Sequence, residues 1–395
     1  MIAAAKDLNK SGKFIRLVVV VLSGALFLAG CAAPQAVKRE PVFFPVPPNE
    51  PKIQFLKAIS GSADVEPQRS KMELLVSGAT ERDINRPIVR PYGVRYVNGK
   101  LYVCDIQGAS TVIVMDLKNK KFDYMKENAG RGQLKKPINM EIASDGTIYV
   151  ADTVKKEVMI YDKTGTFVGS LGREENMKPV DVAVDNDYIY ALDLKESEIK
   201  IYDRKTLKYV RSIGKTEDKS QGLALPTNLT IDDSGLIYVT NITDASVKIY
   251  DKDGHYINRI GQLGDALGEF TRPKGIAVDA LRRVWVVDGA FQNVQVFNEN
   301  RKMLMFFGDP PLPAGALNLP AGIAVTTEDL PYFQQFADPD FILEQVVFVT
   351  NQMGDTKISV YGLGHKKGAP PTSAADPRKP AQGDEKAPAA GQTGK

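Results

Sequence analysis

Short runs of alternating apolar and polar residues fill most of this chain, and they recur in groups of four. One group reads Pro-Ile-Asn-Met-Glu-Ile-Ala from Pro137, Ile-Tyr-Val-Ala-Asp to Asp152, Val-Met-Ile-Tyr-Asp to Asp162, and Phe-Val-Gly-Ser-Leu-Gly to Gly172. Gly, Asn and Asp separate the runs, as in tight β-turns. Each group therefore predicts four antiparallel strands.

The group occurs six times at intervals of 46, 42, 47, 47 and 47 residues. A four-stranded unit that recurs at this period is typical of a propeller blade. The sequence thus predicts an all-β fold, a six-bladed β-propeller. The blades begin near Pro91, Pro137, Pro179, Pro226, Pro273 and Pro320.

The last group lacks a fourth run before the polar C-terminal segment. Upstream of the first blade, residues 53–60 contain Phe-Leu-Lys-Ala-Ile, which matches the fourth run Tyr-Val-Arg-Ser-Ile of the third blade. We therefore expect this N-terminal strand to complete the last blade and close the ring, which removes an open sheet edge. The predicted propeller spans residues 52–364.

In every group the second run ends on an Asp or Asn. Such side chains accept hydrogen bonds from backbone N–H groups two residues on and stabilise turns. Because the position recurs in all six blades, it predicts an architectural role. The column consists of Asp105, Asp152, Asp193, Asn241, Asp288 and Asn351.

The N-terminus has the features of a secretion signal. Lys10, Lys13 and Arg16 precede an apolar run over residues 17–28, which is too short for a comfortable membrane span. The run ends Leu-Ala-Gly-Cys31, which resembles the lipobox of bacterial lipoproteins; a signal peptide with a chance cysteine is the alternative. The resemblance implies cleavage after residues 1–30 and an acylated Cys31 anchored in the cell-envelope membrane. Ala32 in place of Asp implies the outer membrane.

Two polar segments flank the predicted propeller. Residues 31–51 hold the lipidated cysteine and six prolines, which predicts a semi-rigid tether. Residues 365–395 are rich in Ala, Pro, Gly and Lys and predict a disordered tail.

Charge and composition exclude several function classes. The chain has 51 basic and 48 acidic residues, and residues 1–30 hold four of the basic and one of the acidic ones, so the remainder carries 47 of each. A neutral chain has no global field that attracts nucleic acid. Basic residues in the connections between blades are accompanied by acidic ones, so we expect no nucleic-acid partner. They are Arg131, Lys135, Lys136, Lys178, Arg272 and Lys274.

Connections between blades, such as residues 261–273, resemble those of the NHL repeat, and the resemblance extends from Pro91 to Gly364. The resemblance implies a propeller, a fold that serves many activities.

Some NHL propellers ligate zinc through histidine, but His255 falls in a predicted turn and His365 at the start of the predicted tail. Cys104 lies within a predicted strand and is predicted to be a small core residue.

The residue two positions after each starting proline is predicted to lie at the mouth of the central channel. Asn139, Asp181 and Asn228 occupy this position in three adjacent blades, and glycine occupies it in the other three. The pattern loosely resembles the calcium site of gluconolactonase-type propellers, with Glu141 as the nearest further acid. A hydrogen-bonded polar channel that holds water is the alternative, and we assign no metal or other cofactor and no catalytic residue.

An irregular insertion over residues 326–345 separates the first two runs of the last blade. Its aromatic residues are Tyr332, Phe333, Phe336 and Phe341. Long aromatic loops are typical of partner-binding surfaces. The alternative is that the loop folds back and caps the channel.

The sequence as a whole favours a binding or scaffold protein of the cell envelope that holds a protein or glycan partner through its loop faces. A calcium-dependent hydrolase or lactonase of the gluconolactonase type is the alternative, so enzyme activity stays open.

Overall fold

The computed structural model describes residues 40–67, 76, 85–126, 128–309 and 314–372. The predicted signal peptide, Cys31 and residues 373–395 of the predicted tail lie outside these residues. Two strands precede the repeats, β1 (Val42–Phe44) and β2 (Ile53–Ile59), and a 3-10 helix follows at Ser62–Asp64.

Six sheets then follow in chain order, and each begins at a predicted proline. The first three blades are four-stranded, and a second 3-10 helix, Gly130–Gly132, joins the first two of them. Their strands are β3 (Pro91–Val97), β4 (Lys100–Asp105), β5 (Thr111–Asp116) and β6 (Lys121–Tyr124); β7 (Pro137–Ile142), β8 (Ile148–Asp152), β9 (Glu157–Tyr161) and β10 (Phe167–Leu171); β11 (Pro179–Val184), β12 (Tyr188–Asp193), β13 (Glu198–Asp203) and β14 (Tyr209–Ile213).

The other three blades complete the ring, and the sixth contains the α-helix α1 (Leu330–Gln334). Their strands are β15 (Pro226–Ile231), β16 (Ile237–Asn241), β17 (Ser246–Tyr250) and β18 (Tyr256–Ile260); β19 (Pro273–Val278), β20 (Val284–Asp288), β21 (Asn293–Phe297) and β22 (Met303–Phe307); β23 (Pro320–Thr326), β24 (Phe341–Asn351) and β25 (Ile358–Lys366).

The first strands line the axis. Each contacts the first strand of the next blade, and β23 contacts β3, so the ring is closed. The second and third strands are buried on both faces, because neighbouring blades pack against them. No helix among the described residues has the length and apolar content needed to cross a membrane.

The predicted closing strand is confirmed. β2 pairs antiparallel with β25, with Ile53 opposite Leu363 and Ile59 opposite Ile358, and both isoleucines are fully buried. The sixth blade therefore takes its fourth strand from the N-terminal side of the repeats.

The predicted boundaries of the flanking segments need correction. Residues 42–44 belong to the propeller rather than to a tether, because β1 pairs with the outer side of β2. Phe44 is buried with its ring 6.2 Å from those of Phe307 and Tyr361. At the other end β25 continues to Lys366, and the backbone N–H of Thr372 donates to Glu344 at 2.7 Å. The described residues 365–372 are thus held on the propeller.

Candidate functional site

One face of the propeller carries the starts of the first strands, the ends of the second strands and the connections between blades. We call it the mouth face; the opposite face, which carries the turns between the first and second strands and between the third and fourth strands of each blade, is the turn face. The Asp/Asn column lies on the mouth face and is fully buried. In the first blade, the Asp105 carboxylate accepts hydrogen bonds from the backbone N–H groups of Val89 and Arg90 at 3.1 and 2.9 Å, and from that of Gln107 at 3.3 Å.

This pattern repeats around the ring. Asp152 accepts from Lys136 and Val154, and Asp288 accepts from Arg272 and Ala290. The bonds to the following turn agree with the predicted architectural role. The bonds to the backbone one or two residues before each first strand join segments about 15 residues apart in these blades, so local turn chemistry did not indicate them. They fix the backbone that surrounds the mouth.

Asp181, in the first strand of the third blade, is bonded through both carboxyl oxygens. Oδ1 accepts from the backbone N–H of Val182 at 2.8 Å. Oδ2 accepts from the backbone N–H of Leu229 at 3.0 Å and from the Asn228 carboxamide at 3.2 Å. Since Asn228 and Leu229 belong to the fourth blade, Asp181 bridges two neighbouring first strands.

Asn139 does not join this pair through any hydrogen bond among the described residues. Its Oδ1 accepts from the backbone N–H of Met140 at 3.0 Å and lies against the first blade, where a Cβ on Gly93 would be 2.2 Å away. The structure therefore brings Asp181 and Asn228 together but does not make Asn139 a third member of one ligand set.

The glycines at this position are explained by close approach of neighbouring strands. A Cβ on Gly275 would lie 2.5 Å from the carbonyl oxygen of Ala321, and one on Gly322 would lie 2.1 Å from that of Tyr92. Neither contact is possible between real atoms. The column thus faces neighbouring blades rather than the open channel: it forms a seam, closed by glycine in three blades and by Asn or Asp in three. This corrects the expectation of a convergent site.

An ion pair inside the channel accompanies the seam. The Arg95 Nε lies 3.1 Å from Glu141 Oε2, across the first and second blades, and both residues stand four positions after a starting proline. Sequence reasoning named Glu141 only as a calcium ligand and missed Arg95, although the shared position in adjacent blades was a usable signal.

Burial raises the pKa of the Asp181 carboxyl to about 7, because the charged form is poorly solvated there. The positive charge of Arg95 and the hydrogen bonds from Leu229 and Val182 lower the pKa, but by less than burial raises it. The neutral form of Asp181 is therefore far more populated near neutral pH than that of an ordinary carboxyl group.

These residues do not fit a calcium ion. Calcium takes six to eight oxygen ligands and prefers ionised carboxylates. Here the carboxyl oxygens of Asp181 already accept hydrogen bonds, burial disfavours the ionised form of the group, and the cationic Arg95 side chain is close enough to affect its pKa. Glu141 is paired with Arg95. The geometry favours a hydrogen-bonded seam, as in the polar-channel alternative.

The aromatic insertion lies on the turn face and folds back. Phe333, on α1, is fully buried with its ring 5.7 Å from those of Tyr96 and Phe348, and Phe341 is also buried. This corrects the proposed partner-binding role of Phe333 and Phe341, whose rings fill a core.

The other two aromatic residues of the insertion are partly buried. The Tyr332 hydroxyl donates to the carbonyl of Leu117 at 3.0 Å. The Lys57 ammonium lies 5.1 Å from the centroid of the Phe336 ring. The insertion is therefore fastened to both the first blade and the closing strand.

The two histidines are in different blades. His255 is exposed on the turn face with Nδ1 2.8 Å from Asp251, and His365 lies in β25, not in a tail, with Nδ1 2.7 Å from Glu344. Cys104 is fully buried, and burial raises the pKa of its thiol well above its usual range. Its position agrees with the predicted core role.

Comparison with known proteins supports the fold. A family described as 6-bladed beta-propeller matches residues 133–216 and again 215–300. The protein brain tumor of Drosophila melanogaster is 28% identical over 166 residues, which cover 41% of this chain and 15% of the fly protein.

Two solved structures also match part of this chain, both at low sequence identity. A Bacteroides thetaiotaomicron protein of unknown function is 16% identical, with a TM-score of 0.55 over 79% of this chain and 75% of that one. Virginiamycin B lyase from Staphylococcus aureus is 14% identical, with a TM-score of 0.48 over 70% of this chain and 86% of that one. Together with the matched family and the Bacteroides structure, the six closed blades identify the chain as a six-bladed β-propeller.

Proposed function

We propose that this protein is a lipoprotein of a bacterial cell envelope whose propeller binds a protein or glycan partner through its mouth face. The proposal rests on the location of the large apolar side chains that are exposed at the surface. Among the described loops and turns of the six blades, most of the exposed large apolar side chains lie on the mouth face; at the turn-face end the exposed ones are Val46, between β1 and β2, and Ile342, near the start of β24. The exposed residues of the mouth face are Val89, Val154, Leu225, Leu263, Leu267 and Met353.

Exposed apolar side chains within a polar surface are typical of binding sites. The seam and the Asp/Asn column hold the backbone beneath these loops rigid, which lowers the entropy cost of binding. The calcium-dependent hydrolase alternative lacks support from the geometry of the seam.

Partner capture tests the proposal. Leu225 is 53% exposed at a φ of 54° and Met353 is 55% exposed, so Leu225→Asp and Met353→Asp place charge on the mouth face with little effect on folding. We expect each variant to recover at least tenfold less partner from detergent-solubilised envelope, measured by quantitative mass spectrometry. Val210→Asp on the outer strand β14 is the control and should capture normally. Equal capture by all variants would contradict the proposal.

The proposed anchor depends on Cys31, which lies outside the described residues. Cys31→Ser removes the thiol that accepts diacylglycerol, so we expect an unprocessed or soluble product. Membrane fractionation and mass measurement of the mature N-terminus check this. Cys104→Ala is the matched control and should stay in the membrane fraction. A Cys31→Ser protein that is still processed and still carries acyl chains would refute the assignment.

A further inference from the structure

Lys274, the second residue of β19, is buried in an unusual way. Its side chain is only slightly exposed and passes over Gly289, where a Cβ would lie 3.1 Å from the lysine Cε. The ammonium Nζ lies 3.4 Å from Gln352 Oε1 in the sixth blade and 5.8 Å from the centroid of the Tyr92 ring in the first. The lysine thus reaches from the fifth blade across the sixth toward the channel mouth.

Two other buried lysines have a carboxylate partner, whereas Lys274 does not have one among the described residues. Lys200 is paired with Glu198, and Lys248 Nζ lies 3.1 Å from Asp244 and also donates to the carbonyl of Gly222. For Lys274, no carboxylate oxygen of the described residues lies within 4 Å of Nζ. A buried charge without an opposite partner is costly.

The neighbourhood of Lys274 adds positive charge. Burial, followed by the charges of Arg272 and Arg90, lowers the pKa of the Lys274 ammonium to about 8, and the Asp288 carboxylate opposes this effect only weakly. Both arginines stand directly before a first strand, and hydrogen bonds from their backbone N–H groups to Asp105 and Asp288 hold their backbone at the mouth face. The residue directly before the first strand is basic in four of the six blades and acidic in none. It is occupied by Arg90, Lys136, Lys178, Leu225, Arg272 and Leu319.

We propose that Lys274, Arg90 and Arg272 form a binding site for an oxyanion, a carboxylate or phosphate group that a partner presents at the channel mouth. Two guanidinium groups and an ammonium supply the charge-assisted hydrogen bonds that such groups prefer. Gln352 has amide N–H donors to spare, since its Oε1 already faces Lys274. The anion would provide a counter-charge in direct contact with Nζ, within 4 Å of which the described residues place no carboxylate oxygen. This inference rests on the proposed role of the mouth face.

Calorimetric titration of the full-length chain in detergent tests the site, with citrate and inorganic phosphate as probes at constant ionic strength. We expect at least one probe to bind, and Lys274→Gln to weaken its binding tenfold or more. Arg272→Gln should weaken it several-fold, whereas Lys274→Arg should retain most of it. Lys205→Gln, an exposed lysine on the turn face, is the matched control and should bind like the wild type.

The inference is overturned if neither probe binds the wild type, or if Lys274→Gln binds as tightly as the wild type does. Melting temperatures of all variants show whether any loss of binding reflects unfolding; Lys274→Gln removes a buried charge, so it should melt no lower than the wild type. If the oxyanion site is wrong, Lys274→Gln still captures partner normally. If the proposed function is wrong, citrate or phosphate still binds but no partner is captured.

Discussion

Removal of the closing strand is expected to cause the largest loss of stability in this protein. Deleting residues 53–60 removes β2, exposes the edge of β25 and separates β1 from the sixth blade. Each large buried apolar side chain contributes about 2–5 kcal/mol against truncation to alanine, while whole domains have only about 5–15 kcal/mol of net stability. We therefore expect the deletion to unfold the ring or make it associate through the exposed edge.

A milder double variant tests the contribution of β2 to stability in a protein that still folds. Ile53→Ala with Ile59→Ala leaves the backbone of β2 intact and should cost about 4–8 kcal/mol, a fall of roughly 10 °C or more in melting temperature. Val46→Ala, at a side chain that is about half exposed, is the control and should melt within a degree or two of the wild type. Calorimetry and light scattering after size exclusion measure both effects. A monomeric deletion protein with an unchanged melting temperature would disprove the assignment.

Periodicity in the sequence predicted the architecture well, because each blade repeats the same local signals. All six first strands begin at the predicted prolines, and the closing strand was found from the match between residues 53–60 and another fourth strand. β1 was missed because its three residues lie among prolines. Tertiary contacts distinguish this segment from a tether: β1 pairs with β2, and Phe44 contacts the rings of Phe307 and Tyr361.

The candidate site could be predicted only in part, because position along a strand does not determine what a side chain faces. Asp181 and Asn228 share a register and do meet, but they meet across a seam between blades. The close approach of Gly322 to the carbonyl of Tyr92, which explains the glycines, depends on the distance between two first strands. Lys274 looked like one of several loop lysines, and only its path over Gly289 sets it apart.

Asp181 should give the stability of the propeller a distinctive dependence on pH. Its pKa is raised from 3.8 to about 7 in the folded protein, so the folded state binds this proton more tightly than the unfolded state does. The stabilisation is fully present below about pH 4 and is lost as pH rises through about 7. A change from 3.8 to about 7 corresponds to about 4 kcal/mol.

Asp181→Asn should remove this dependence, since a carboxamide does not titrate. The variant also loses a hydrogen bond at the seam, because its amide nitrogen faces a donor, but that cost is the same at every pH. We therefore expect the free energy of unfolding of the wild type, relative to the variant, to fall by about 4 kcal/mol between pH 4 and pH 8, measured by urea unfolding at a series of pH values. Asp187→Asn, at an exposed turn of the same blade, should keep the wild-type slope. If the wild type and Asp181→Asn show parallel profiles, the carboxyl is ionised throughout this range, and the seam would then hold a buried negative charge stabilised by Arg95.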